Sequence, residues 1–315
     1  MLNKSVFHHY FAAFGIDYSE PICYNLEKKN LELIRLKKQK KAVLINDISC
    51  LGRCSMTAAM PIISACGFES VPLPTGIFSA HTEFEGFVKA DLTDKMSEIT
   101  NHWKNLGVRF DCIYSGYLAS REQAESVKRF LLDFKKSDTL YVADPVMGDD
   151  GVFYTGINDS FVAEMRFLCS LADIIVPNVT EACMLTGTEI PDGQYDMDFI
   201  KELLISMRNI TAARIVITGV DFGDGQIGCA VYDSLMGKAN MFFTPKTEGR
   251  FPGTGDVFAS ALTAAVMKGK SFSDAVQIAM GFTCKCVEET LDAETDRKYG
   301  LCFEPQIKNL IKSVE

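Results

Sequence analysis

Residues 251–266 read FPGTGDVFASALTAAV, with two glycines, a threonine and an aspartate set against the start of a run of helix formers. Gly253 and Gly255 allow a sharp turn and a close backbone approach to a ligand. A helix starting near Thr254 aims unpaired N–H groups and the positive end of its dipole at the same point, which makes an anion hole of Gly253, Thr254 and Gly255. Phosphoryl transfer needs such donors at the migrating group and a carboxylate near the attacking hydroxyl, the place Asp256 would fill as general base. An ordinary helix start, where Asp is favoured and Gly is common in the preceding turn, has the same local sequence. The dipole is expected to lower the pKa of Asp256. It would then be ionised at neutral pH and a weak base, taking the proton late, as the hydroxyl bonds to phosphorus.

Positioning these residues requires a scaffold, and the chain from Ala42 onward alternates short apolar runs with helical patterns. AVLIN, ESVPLP, FDCIYSG, TLYVAD, ADIIVPN and ARIVITG read as strands, several continuously apolar as expected when both faces are covered. Helices are expected over 55–66, 92–106, 120–136, 158–171, 180–186, 196–210, 254–268 and 273–290, with Pro61 kinking the first. After Gly219 the runs IGCAVY and NMFFTP read as a hairpin. The alternation predicts a three-layer α/β sandwich, its mostly parallel sheet joined by right-handed crossovers. No linker, repeat or low-complexity stretch divides residues 42–315, which are expected to form one domain. Residues 1–41, ending in the basic RLKKQKK, read as an N-terminal extension.

In such a sheet, ligands bind beyond the carboxyl ends of the strands. Polar residues collect there: Asn46 and Asp47, Ser115 and Tyr117, Asp144, Asn178 and Glu181, and Thr218. Five strand ends in succession point to a site. Asp144 before a proline also suits a turn, Glu181 a helix start, and Tyr117 simple packing, whereas His81 in a Gly/Ser/Thr-rich loop suits ligand contact.

Composition narrows the classes. With 315 residues, 47% of them hydrophobic, the chain can bury a large core. A net charge of -9 argues against nucleic acid as a partner but leaves room for a small anion in a local pocket. The 11 cysteines, odd in number and without a CxxC pair, fit reduced thiols in a cytoplasmic protein. No apolar run approaches the roughly 20 residues of a membrane span, so a soluble protein is expected. Neither a GxxxxGK(S/T) phosphate loop nor a convincing GxGxxG fingerprint is present.

PGTGDVFASAL resembles the signature of the ribokinase-like superfamily. NDISCLGRCSMTAAMPIISACGFE, LPTGIFSAHTEFEGF, YSGYLAS, DPVMGDDG and PNVTEACMLTG, in this order, resemble its pyridoxal/pyridoxamine kinase branch, over about Val43 to Leu291. The resemblance implies ATP- and Mg²⁺-dependent phosphorylation of the hydroxymethyl group of a B6 vitamer, with a monovalent cation and a homodimer among the family's features. It assigns Asp256 the base and Gly253, Thr254 and Gly255 the anion hole. Asp144 and Glu181 become the acidic pair that organises Mg²⁺ and the ATP phosphates. Asn178, Thr180, Thr218 and Gly219 become nucleotide contacts, and Asn46, Asp47, His81 and Tyr117 substrate contacts. One departure stands out: Asp47, after Asn46, occupies a strand end where many pyridoxal kinases carry Ser, and its carboxylate could meet a protonated ring nitrogen or a charged amine. Competing expectations are a hydroxymethylpyrimidine or sugar kinase of the same superfamily and a non-catalytic B6-binding protein.

Overall fold

A computed structural model describes residues 39–191 and 193–315. The expectation of an N-terminal extension therefore falls, for residues 1–38, outside the described residues. The first strand, β1 (Lys41–Ser49), begins one residue earlier than its apolar run. Along it Val43 and Ile45 join one apolar cluster and Ala42 and Leu44 the other, so both faces are dry and an unbroken apolar run is required.

Parallel to β1 run β2 (Glu69–Phe78), β4 (Cys112–Ser115), β5 (Leu140–Ala143), β8 (Ile174–Ile175) and β9 (Arg214–Val220). The hairpin β10 (Gln226–Asp233) and β11 (Lys238–Pro245) extends the sheet antiparallel at one edge, and β3 (Lys89–Asp91) does so at the other. The order is β11-β10-β9-β8-β5-β4-β1-β2-β3. The chain leaves β1 for β2 on one side and then returns to place β4 on the other. That reversal opens a crevice beyond the carboxyl ends of β1 and β4.

Against the face carrying Val43 pack α2 (Thr93–Asn105), α3 (Arg121–Phe134), α4 (Asp159–Ser170), α5 (Val179–Thr186) and α6 (Met197–Arg208). Against the other pack α1 (Ser55–Ala65), α7 (Thr254–Met267), α8 (Phe272–Asp292) and α9 (Ile307–Val314). α7 is buried along almost its whole length, and its alanines let it lie close to the sheet. All eight expected helices are present, and α1 runs on through Pro61. β3, the hairpin β6 (Gly148–Asp149) with β7 (Val152–Phe153), and α9 have no counterpart among the expected elements. No helix among the described residues is long and apolar enough to cross a membrane. Ten cysteines there are free thiols, eight of them buried.

Candidate active site

A cavity of about 1020 Å3 opens along the carboxyl edge of the sheet. Of the residues singled out from the sequence, Asp47, His81 and Tyr117 line one end. Asp144, Asn178, Glu181, Thr218 and Gly219 line it further along, and the turn Gly253 to Asp256 lies between the strand ends and α7. Asn46 and Thr180 do not line it. The hydroxyl of Thr180 instead accepts the N–H of Gly151 at 3.0 Å, tying down the turn of the β6–β7 hairpin. Asn46 lies behind the cavity wall, 2% exposed.

The two glycines of the turn do different work. Gly253 has φ +79°, and a Cβ there would fall 2.1 Å from the carbonyl oxygen of Arg53. The glycine is required by the chain's own packing rather than by a ligand. Gly300, at φ +82°, meets the same carbonyl from its other neighbour, where a Cβ would come within 2.6 Å. Arg53 also donates its N–H to the Tyr299 carbonyl at 2.8 Å, so the segment before α1 is pinched between the turn carrying Asp256 and the C-terminal region. At Gly255 a Cβ would meet nothing within 4 Å. Open space there suits a ligand seated on the helix N-terminus.

Asp256 is partly open on its cavity side and faces two helix starts, its own and that of α1, whose Ser55 N–H donates to it. Ser55 sits at φ +50°, an uncommon conformation for a residue with a Cβ, and its hydroxyl favours the ionised form of Asp47. A helix start at 55 is expected from the sequence, but its approach to Asp256 is not. The available signal was its position directly after β1, at the strand-order reversal. Burial nevertheless pushes the Asp256 carboxyl up to about 7, with nearby Asp47 adding to the rise. This overturns the expected lowering: two helix starts and an amide donor do not outweigh the loss of water around the carboxylate.

At the other end, Asn178 caps α5 by accepting the Glu181 N–H at 2.8 Å. Glu181 answers with both oxygens, one accepting the Asn178 N–H at 2.9 Å and the other the Met147 N–H at 3.0 Å. This is a capping box, so the helix-start role weighed for Glu181 is real. Glu181 is also 3% exposed and Asp144 7%. Burial raises both carboxyls, and Asp144 rises further because Glu181 and Asp256 face it. No basic side chain pairs with either among the described residues, which suits a hard cation held by oxygen donors. No cluster of three or more Asp, Glu, His or Cys suited to a metal occurs there, so other oxygens would have to complete such a cation's shell.

Around the Asp47 end, the Ser49 hydroxyl donates to Asp47 at 2.8 Å, and burial raises that carboxyl. His81 donates Nε2–H to the Lys298 carbonyl at 2.6 Å and accepts the Glu83 N–H on Nδ1 at 3.4 Å. Both ring nitrogens are engaged and the ring packs on Phe84, centroids 4.8 Å apart, so His81 offers a ligand no free nitrogen. Two cations at the cavity, Lys246 and Arg250, pair with Asp221 at 2.8 Å and Glu83 at 3.2 Å.

A largely parallel sheet covered on both faces, with a carboxylate at a helix start beyond its carboxyl edge, defines a ribokinase-like protein. The model of the phosphomethylpyrimidine kinase family matches residues 92–300. A candidate phosphomethylpyrimidine kinase of Bacteroides thetaiotaomicron, crystallised with pyridoxal, is 37% identical, with a TM-score of 0.83 over 87% of this chain and 96% of that one. The pyridoxal kinase of Lactobacillus plantarum is 29% identical, with a TM-score of 0.80 over 87% and 97% of the two chains. The pyridoxal kinase PdxY of Vibrio vulnificus is 27% identical over 235 residues, 72% of this chain and 79% of the relative. The chain belongs to the phosphomethylpyrimidine kinase family and, within the ribokinase-like superfamily, to the pyridoxal kinase branch.

Proposed function

We propose that this protein is a pyridoxal kinase, transferring the γ-phosphoryl group of ATP to the hydroxymethyl group of a B6 vitamer. One observation carries the reading: two helix starts converge on Asp256, beside open space at Gly255, in one cavity with an unpaired acidic couple. The substrate hydroxyl attacks the γ-phosphorus in line, and Asp256 accepts its proton. A carboxyl near neutral pKa suits this role, because it is available as the base at physiological pH yet holds the proton well once taken. N–H groups at the start of α7 face the charge that develops on the phosphoryl oxygens. Asp144 and Glu181 would hold Mg²⁺, which when bound supplies positive charge to the nucleotide phosphates. Asn178, Thr218 and Gly219 are placed to contact that nucleotide, and Tyr117, His81 and Asp47 to receive the pyridine. Residues 42–315 suffice for this reading, with residues 1–41 an extension to it.

The family description and the name of the Bacteroides relative, both phosphomethylpyrimidine kinase, keep a second substrate class open, a pyrimidine such as hydroxymethylpyrimidine. Product formation from pyridoxal, pyridoxine, pyridoxamine and hydroxymethylpyrimidine, each with ATP and Mg²⁺, separates the two. Formation of pyridoxal 5′-phosphate is expected. Turnover of the pyrimidine alone would replace the proposal, and failure of every compound to consume ATP would leave a binding protein.

A further inference from the structure

We propose that Asn46 is a positioning residue for Asp256 rather than a substrate contact: its amide is locked in the one orientation that offers a donor to that carboxylate. The inference rests on the reading of Asp256 as the base. Asn46 is 2% exposed and lies outside the cavity lining, so a bound vitamer would not meet it. Its Oδ1 accepts two backbone N–H groups, from Asp47 at 3.0 Å and from Tyr117 at 2.9 Å. Two N–H donors require an acceptor, which settles the amide's orientation by its partners. Nδ2 is thereby aimed at Asp256 Oδ1, 3.5 Å away. That contact is long, as catalytic hydrogen bonds often are before substrate arrives. Because Tyr117 follows β4, the side chain of Asn46 spans the strand-order reversal and ties the base to it.

Gly116 completes the arrangement. A Cβ at that position would lie 2.5 Å from Nδ2 of Asn46, so a larger residue displaces the amide. None of the remaining side chains that face Asp256 hydrogen-bonds to it. Asp47 on β1 and Asp144 after β5 are carboxylates, the Cys54 thiol precedes α1, and the Tyr114 phenol lies on β4. Beyond the Ser55 N–H, Asn46 is the side-chain donor that favours the ionised form.

Asn46→Asp keeps the shape and the acceptor for both N–H groups but sets a bare oxygen against Asp256. The acid limb of kcat/KM for pyridoxal is expected to move up by about one pH unit or more, with KM within roughly threefold of the parent. A superimposable pH profile, or a tenfold rise in KM without a shift, would overturn the proposal in favour of a packing or substrate-contact role. Gly116→Ala gives a second approach that adds no carboxylate. In protein carrying 13C-labelled aspartate, without substrates, the Asp256 resonance, assigned by its loss in Asp256→Asn, should titrate higher in Gly116→Ala than in the parent. Coincident titrations would equally reject the role. Inactivity of the parent towards every vitamer would instead remove the kinase reading while leaving this titration to judge Asn46.

Discussion

Asp256 and the Asp144–Glu181 couple line one cavity, and burial pushes all three towards their protonated forms, but the two places hold charge differently. Asp256 stands with N–H donors from one backbone and one side chain around it, partly open to the cavity, at a pKa near neutrality. Glu181 raises the cost of charging Asp144, and Asp149 does the same to Glu181. A single poised carboxylate can exchange a proton. A repelling couple is relieved by a cation from outside. The same physical term, desolvation, acts at both, and under the proposed function it readies one end for proton transfer and the other for a metal with its anionic ligand.

The largest expected effect comes from Asp256→Asn, which keeps the shape and removes the acceptor. Turnover at saturating substrates should fall by roughly 10²–10⁴-fold while both substrates still bind. A rate within about twofold of the parent would reduce Asp256 to a helix-start residue and collapse the contrast. Next is the pH profile of the parent. Because the base must be ionised, kcat/KM should fall by about tenfold per pH unit below a limb near 7, and a limb near 4 would show that the helix dipoles win after all.

At the acidic couple, two substitutions should part. Asp144→Asn removes a buried carboxyl that no backbone N–H holds among the described residues. It should raise the Mg²⁺ requirement by about tenfold while leaving the melting temperature unchanged or higher. Glu181→Gln turns an amide group towards a backbone N–H and should also lower the melting temperature, by an amount matching roughly 1–3 kcal/mol. Identical melting and metal titrations for the two variants would erase the distinction between cap and ligand.

The smallest effect is on stability without ligands. A carboxyl raised on folding binds protons the unfolded chain has already released. Its stabilising contribution is therefore full below the ordinary carboxylate range, about 4, and is lost as pH rises through the raised values. The melting temperature should be a few degrees lower at pH 8 than at pH 6 in the presence of chelator, and Mg²⁺ should narrow that gap. A gap indifferent to Mg²⁺ would mean that the couple is not where the cation sits.

The parts of this molecule that could be read from the sequence are those set by local pattern. Continuous apolar runs such as AVLIN must be strands covered on both faces, and the helices between them carry their own periodicity and caps. β3 and the β6–β7 hairpin are two or three residues long, too short for any period to register. The site shows the same division. Its strand-end residues were legible because topology alone brings strand ends together. That Asn46 faces away from the cavity depends on the backbone of Tyr117, 71 residues later, and that Thr180 does so depends on Gly151. The direction of the Asp256 shift was misread because a dipole is visible in sequence whereas the depth of burial is a property of the assembled whole.

The pinch of Arg53 between Gly253 and Gly300 has a consequence for how the protein comes into being. On the ribosome the turn carrying Asp256 emerges well before residue 300, and the strands that flank it emerge earlier still. Until the Tyr299 carbonyl takes the Arg53 N–H and the Lys298 carbonyl takes the His81 Nε2–H, neither the turn carrying Asp256 nor the His81 end of the cavity has its final support. Under the proposed function, a chain that stops short of Lys298 is therefore expected to form the sheet without turning over ATP.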